Sequence, residues 1–222
     1  MAAPPPSTFS GAADALAVLV LLTEFAMLRA QLMRSQVRIY AFQSFVVCVL
    51  AVVVAATRHV NALYALAALS FILKVIVVPT IVTRLLRDLD GDLAGSPTFG
   101  VATMVLIAIG ASAVGFFTIG ALDLPPTALP STALAISVAV ILVAFVLIVV
   151  RSDVVSQAIG FFSLENGVSV ASLVVASRLP LTAAAAFLFD LLVAVVVFAL
   201  LIRVHHGRTN TLSTDVIDRL RG

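Results

Sequence analysis

Seven apolar runs, each about 18–24 residues long, fill nearly all of this 222-residue chain. A helix rising 1.5 Å per residue needs about that length to cross a hydrocarbon core of roughly 30 Å. The spans read as Gly11–Leu28, Ile39–Thr57, Asn61–Thr83, Thr98–Ala121, Thr132–Val150, Val154–Ser177 and Thr182–Val204. Only short links separate them, which leaves no room for a soluble domain. Hydrophobic residues make up 62% of the chain and charged residues 11%, with a mean hydropathy of +1.22. Those values place it among integral membrane proteins. The expected fold is all-α, a polytopic membrane bundle of about seven transmembrane helices. Its natural divisions are 1–97, 98–150 and 151–222, set by the polar link Arg87–Pro97 and the turn after the fifth helix.

Basic residues orient the bundle. Arg29, Arg34, Arg38, Arg84, Arg87, Arg151, Arg203, Arg208, Arg219 and Arg221 fall in one set of alternate links and the tail, while Arg58 and Arg178 fall in the other. Ten against two on the positive-inside rule puts the N-terminus outside and the C-terminus in the cytoplasm. These arginines are topology anchors, so a net charge of +2 implies no nucleic-acid partner. Met1–Ser10, with Pro4-Pro5-Pro6, lacks the basic start and early apolar core of a cleavable signal and reads as a short outer leader.

Several chemistries find no foothold. Cys48 is the single cysteine, which argues against disulfides, zinc and iron–sulfur ligation by this chain. Asp88, Asp90 and Asp92 alternate like the start of a calcium loop, but the distal Glu is missing. His205 and His206 read as interfacial residues where the seventh span ends. No P-loop, nucleophile elbow or dinucleotide fingerprint is present, and neither a cofactor nor a metal is expected.

Charge inside the spans carries the functional signal. Glu165 and Asp190 sit near the middle of the sixth and seventh runs, which enter from opposite sides and should pack as antiparallel neighbours around one hydrated seam. Removing a carboxylate from water disfavours its charged form, so either acid is expected to exchange a proton near neutral pH. Lys74 lies deep in the third run, just ahead of Pro79, and should face a carboxylate or water. Pro79 takes one hydrogen bond out of that helix and frees a carbonyl. Glu24 is nearer the cytoplasmic end of the first run with Arg29 close behind, so an interfacial salt bridge and a relay role are both open. Gln43 reads as glue between helices. Asn166-Gly167 is expected to loosen the sixth helix, and Gly160 and Gly167 to permit close packing. These charges are expected to lack enough mutual partners within one small bundle, so the chain should depend on neighbours.

The stretch from Arg151 to Gly222 resembles subunit K of NADH–quinone oxidoreductase through Arg151, Gly160-Phe-Phe-Ser-Leu-Glu165, Ala183-Ala-Ala-Ala-Phe-Leu-Phe-Asp190 and Asp215-Val-Ile-Asp-Arg-Leu-Arg-Gly222. The span 132–150 pairs with this subunit-K-like part. The whole chain looks more like hydrogenase-4 component E. That likeness is carried by Tyr40-Ala-Phe-Gln43-Ser, Phe71-Ile-Leu-Lys74-Val-Ile-Val-Val-Pro79 and Gly160-Phe-Phe-Ser-Leu-Glu165-Asn166-Gly167. The resemblance implies a non-catalytic membrane-arm subunit of a complex-I-like hydrogenase complex in a bacterial or archaeal cytoplasmic membrane. Its partners would be antiporter-like membrane subunits and a peripheral [NiFe]-hydrogenase module. Glu165, Asp190, Lys74 and Glu24 are the expected proton-transfer residues; Glu165 and Asp190 occupy the positions of the two membrane acids of subunit K, the second being shorter than the usual Glu. The alternatives are the small subunit of a multisubunit sodium/proton antiporter and a scaffold whose acids only join helices.

Overall fold

The computed structural model describes residues 8–87, 100–121 and 131–175. The seventh expected span with Asp190, the Asp88–Asp92 loop, His205, His206 and the polar tail lie outside the described residues. Within them the elements are helices: α1 (Thr8–Arg29), α2 (Met33–Arg58), α3 (Asn61–Arg87), α4 (Val101–Gly120), α5 (Ser131–Val150) and α6 (Val154–Val175). Five helical stretches, Gly11–Arg29, Met33–Thr57, Asn61–Arg87, Val101–Gly120 and Thr132–Val150, are long and apolar enough to cross a membrane.

Burial marks which helix sits in the middle. α5 contains no charged residue and is apolar all round, and 61% of its span is buried, against 17% for α4 and 22% for α3. α4 is equally free of charge yet lies at the edge, so it is burial and packing against three other helices that mark α5 as central. α5 packs on α1, α4 and α6, while α2 packs on α1, α3 and α6. The outer faces of α3 and α4 turn Ile72, Ile76, Leu106 and Phe117 outward, a surface suited to lipid or to apolar neighbours.

Small residues let the centre close. A Cβ on Gly115 would come within 2.9 Å of the Ala139 backbone nitrogen. One on Gly160 or Gly167 would reach 2.8 Å from Ile148 or Ile141. The expected role of Gly160 and Gly167 is therefore seen, with α5 as the partner. The expected loosening at Asn166-Gly167 is not: α6 runs unbroken through it, because Gly167 is fastened against α5 rather than left free.

Arg151 is more than a topology anchor. Only 3% exposed, it donates from Nη2 to the carbonyls of Leu28 at 2.8 Å and Ala30 at 2.6 Å, closing the C-terminal end of α1. Burial pulls its guanidinium below the ordinary value and Asp153 opposes that shift, so the group stays a cation. Asp153 in turn accepts from the Ser156 N–H at 2.7 Å and caps α6. Arg151→Ala is expected to lower stability by about 2–3 kcal/mol, since two carbonyls lose a charged donor. Arg151→Lys should recover only part, because an ammonium lacks the planar fork. Thermal unfolding in detergent checks this, and an unchanged midpoint for the alanine variant refutes the capping role.

α3 is not a plain helix. Between α-helical turns at Asn61–Ser70 and Val78–Arg87, residues Phe71–Val77 wind as a π-helix, and the Val78 N–H bonds to the Leu73 carbonyl five residues back. Pro79 supplies no N–H and its ring crowds the preceding turn, which favours this wider winding. The extra residue rotates the register so that Lys74 points fully inward, 1% exposed, while Ile72 and Ile76 each remain 50% exposed.

Candidate functional site

Two apolar clusters fill the bundle, and a polar layer separates them. On α1 the order is Ala13, Ala17 and Val20, then Glu24, then Met27 and Leu28. On α2 it is Val37 and Tyr40, then Gln43 and Ser44, then Val46, Val47 and Leu50. α6 repeats it with Ile159 and Phe162, then Ser163 and Asn166, then Val170 and Val174. Polar residues of three helices therefore meet at one level, and the π segment of α3 brings Lys74 to them.

Lys74 is fully coordinated from α6. Its ammonium stands 2.9 Å from Glu165 Oε1 and donates to Asn166 Oδ1 and Ser169 Oγ, each at 3.2 Å. An ammonium has three donors, and three acceptors meet it. Its counter-ion is the more accessible member of the pair, with the Glu165 side chain 15% exposed. The expectation that Lys74 faces a carboxylate holds. The expectation that these charges lack partners within the bundle does not hold for Lys74 and Glu165, because the π turn aims one at the other.

The amides extend the network. Asn166 Nδ2 donates to Gln43 Oε1 and to Ser44 Oγ, both at 2.9 Å. Gln43 Oε1 also accepts from Ser163 Oγ at 2.7 Å, while Gln43 Nε2 donates to Glu24 Oε1 at 3.2 Å and to the Val20 carbonyl at 3.3 Å. Ser163 Oγ makes a second hydrogen bond with Glu24 Oε1. Both atoms of the Gln43 amide and the Asn166 Nδ2 group make two hydrogen bonds each, which fixes both side chains. Gln43 is the interhelical glue expected of it.

Glu24 is misplaced by an interfacial reading. It is completely buried, and its hydrogen bonds go inward to Gln43 and Ser163, whereas Arg29 is exposed at the helix end. Arg151 and the turn before α6 cover that end of α1, so nearness along the helix does not mean contact with water.

No family model, curated protein or solved structure matches this chain. The site is therefore read from its own chemistry. Three of the four expected residues, Lys74, Glu165 and Glu24, share one buried network; Asp190 and its seam with Glu165 lie outside the described residues. Ser163, Asn166, Ser169 and Ser44 are members that inspection of charge alone passes over. Their signal is periodic: Ser163, Asn166 and Ser169 recur every three residues beside Glu165, a polar stripe on an otherwise apolar helix.

Among the described residues no group of three or more His, Cys, Asp or Glu is placed to hold a metal. What the site offers is a titratable acid beside a cation, in a region where an unbalanced charge is costly. Adding or removing one proton at Glu165 changes the charge of the pair, and the network must respond.

Proposed function

We propose that this chain is a membrane-arm subunit of a complex-I-like, energy-converting hydrogenase complex. Glu165, Lys74, Glu24 and Asp190 supply charged groups in the bilayer interior through which protonation changes pass, while partner subunits carry the redox chemistry. The observation that carries the reading is the buried Lys74–Glu165 pair, set on a π-helical turn and linked to a second buried acid. The motifs around Gln43, Lys74 and Glu165 that resemble hydrogenase-4 component E support the choice of complex. In this reading the chain crosses the membrane seven times, N-terminus outside, in a bacterial or archaeal cytoplasmic membrane, and contributes neither a catalytic residue nor a cofactor.

Affinity purification of the tagged full-length chain from mildly solubilised membranes, followed by mass spectrometry, tests the assignment. Antiporter-like subunits together with [NiFe]-hydrogenase large and small subunits are expected. Recovery with cation-antiporter subunits and no hydrogenase would instead make it the small subunit of a sodium/proton antiporter. Complete, cofactor-free ion transport by the isolated chain in liposomes would refute the subunit reading altogether. For orientation, a reporter fused after Gly222 should be active only if it is of the cytoplasmic type; a periplasmic signal there reverses the topology.

A further inference from the structure

The proton-transfer reading above uses Lys74 and Glu165 as a pair and leaves the chemistry of Glu24 open. Among the described residues, Glu24 Oε2 is buried without a hydrogen-bond partner, and no cation touches the carboxyl. Ser163 supplies a further constraint. Its hydroxyl carries one hydrogen, yet its Oγ is in hydrogen-bond contact with Glu24 Oε1 and with Gln43 Oε1, both of them acceptors when Glu24 is ionised. A single hydrogen cannot serve both. A proton on Glu24 Oε1 resolves the conflict: the acid then donates to Ser163, and Ser163 donates to Gln43. When Glu24 loses that proton, the hydroxyl must turn and donate to the carboxylate, and Gln43 Oε1 keeps only the donor from Asn166.

Beyond Ser163 the path changes character. From Lys74 the bonds run to Asn166 Oδ1, from Asn166 Nδ2 to Gln43 Oε1, and from Gln43 Nε2 to Glu24 Oε1, so two amide dipoles stand head to tail between the cation and the acid. Aligned amides polarise one another and extend the influence of Lys74 toward Glu24. They do not pass a proton readily, because an amide nitrogen must keep both hydrogens. We propose that Glu24 is a second proton-binding carboxyl, separate from the Lys74–Glu165 pair, whose state Ser163 reports and whose affinity the Gln43–Asn166 amides couple to that pair without conducting protons to it. One cation is thus shared between two acids: Glu165 by contact, Glu24 through the amides. Glu165 going neutral releases the field of Lys74 toward Glu24 and favours loss of its proton.

The titratable side chains nearest this level on the surrounding helices are Tyr40 and Cys48 of α2, with Arg29 at the end of α1 and Arg151 just beyond α5; α4 and α5 carry none. Arg34 and Arg38 of α2 are exposed, and Asp14 lies toward the other end of α1. The role rests on the proton-transfer reading, but the chemistry can be measured apart from transport.

Infrared difference spectra of the full-length chain in its purified native complex, recorded against pH, detect the carboxylic acid C=O band directly. A titrating band absent from Glu24→Gln is expected, and Glu24→Asp, which keeps the acid but displaces the band, makes the assignment should the Gln variant not assemble. Glu165→Gln should lower the Glu24 midpoint by about one pH unit, a tenfold change in proton affinity. Asn166→Leu, which cuts the amide chain, should shrink that shift to less than half. A Glu24 that shows no acid band at any pH overturns the proposal, as does a midpoint indifferent to Glu165→Gln. A full shift that persists in Asn166→Leu removes the amide coupling. If Glu24 does not titrate while Glu165→Gln still abolishes translocation, this inference falls and the transport reading stands. If Glu24 titrates and is coupled in a complex that pumps normally with Glu165→Gln, the transport reading falls and this inference stands.

Discussion

Glu165→Gln should leave a complex that assembles but translocates protons at least tenfold more slowly, equivalent to about 1.4 kcal/mol or more of barrier. Gln keeps the size of Glu and an oxygen that Lys74 can donate to at the position now 2.9 Å away, so the packing of α6 is preserved. What disappears is the capacity to take up and give back a proton. Glu165→Asp should retain part of the activity, since the acid remains but its carboxyl is withdrawn by one methylene. Proton uptake by proteoliposomes containing the reconstituted complex is the measurement. Wild-type rates from an assembled Glu165→Gln complex would reduce Glu165 to a structural partner of Lys74 and end the relay assignment.

The second large effect is on stability. Lys74→Met removes the ammonium that stands 2.9 Å from Glu165 Oε1, and breaking a buried pair from one side costs about 3–5 kcal/mol. Met fills a similar volume, so packing loss contributes little. The double variant Lys74→Met/Glu165→Gln removes both charges together and should recover most of that stability, because an uncharged pair needs no compensation. It should not recover translocation. Thermal unfolding of the single and double variants decides the point: a double variant no more stable than Lys74→Met would mean that the two residues are not energetically coupled. The contrast between restored stability and absent pumping separates what the pair does for the fold from what it does for function.

Much of this was readable in advance, for reasons that differ by element. The runs at α1, α4 and α5 lie within three residues of their helices because nearly every residue in them is apolar, and hydropathy follows such segments closely. The sixth run starts with α6 at Val154, but its polar side chains keep that helix out of the described stretches apolar enough to cross a membrane. It failed at the polar start of α2, which begins at Met33 rather than Ile39, since a helix continues past the slab where hydropathy is informative. α3 likewise runs through Pro79 to Arg87 rather than stopping at Thr83. The π winding left no mark in composition, although Pro79 five residues beyond Lys74 was its physical cause. Lys74 and Glu165 stood out as charges, whereas Ser163 and Asn166 did not, because a hydroxyl or an amide is tolerated almost anywhere on a helix. Glu24 was read by its distance from a helix end, and depth in a bundle depends equally on which neighbour covers that end.

The apolar clusters on either side of the polar layer have an electrical consequence. Each elementary charge that crosses a membrane held at 100 mV represents about 2.3 kcal/mol of stored energy. A machine that charges such a membrane loses its output through any continuous wet conduit. Val46, Leu50, Val140 and Val170 on one side, and Met27, Tyr40, Leu147 and Phe162 on the other, act as dielectric insulation around the buried charges. Among the described residues, the Glu165 side chain keeps its 15% exposure at the flank of this layer rather than along the bundle axis. Among the described residues, then, the polar layer is screened along the bundle axis and opens only at its flank.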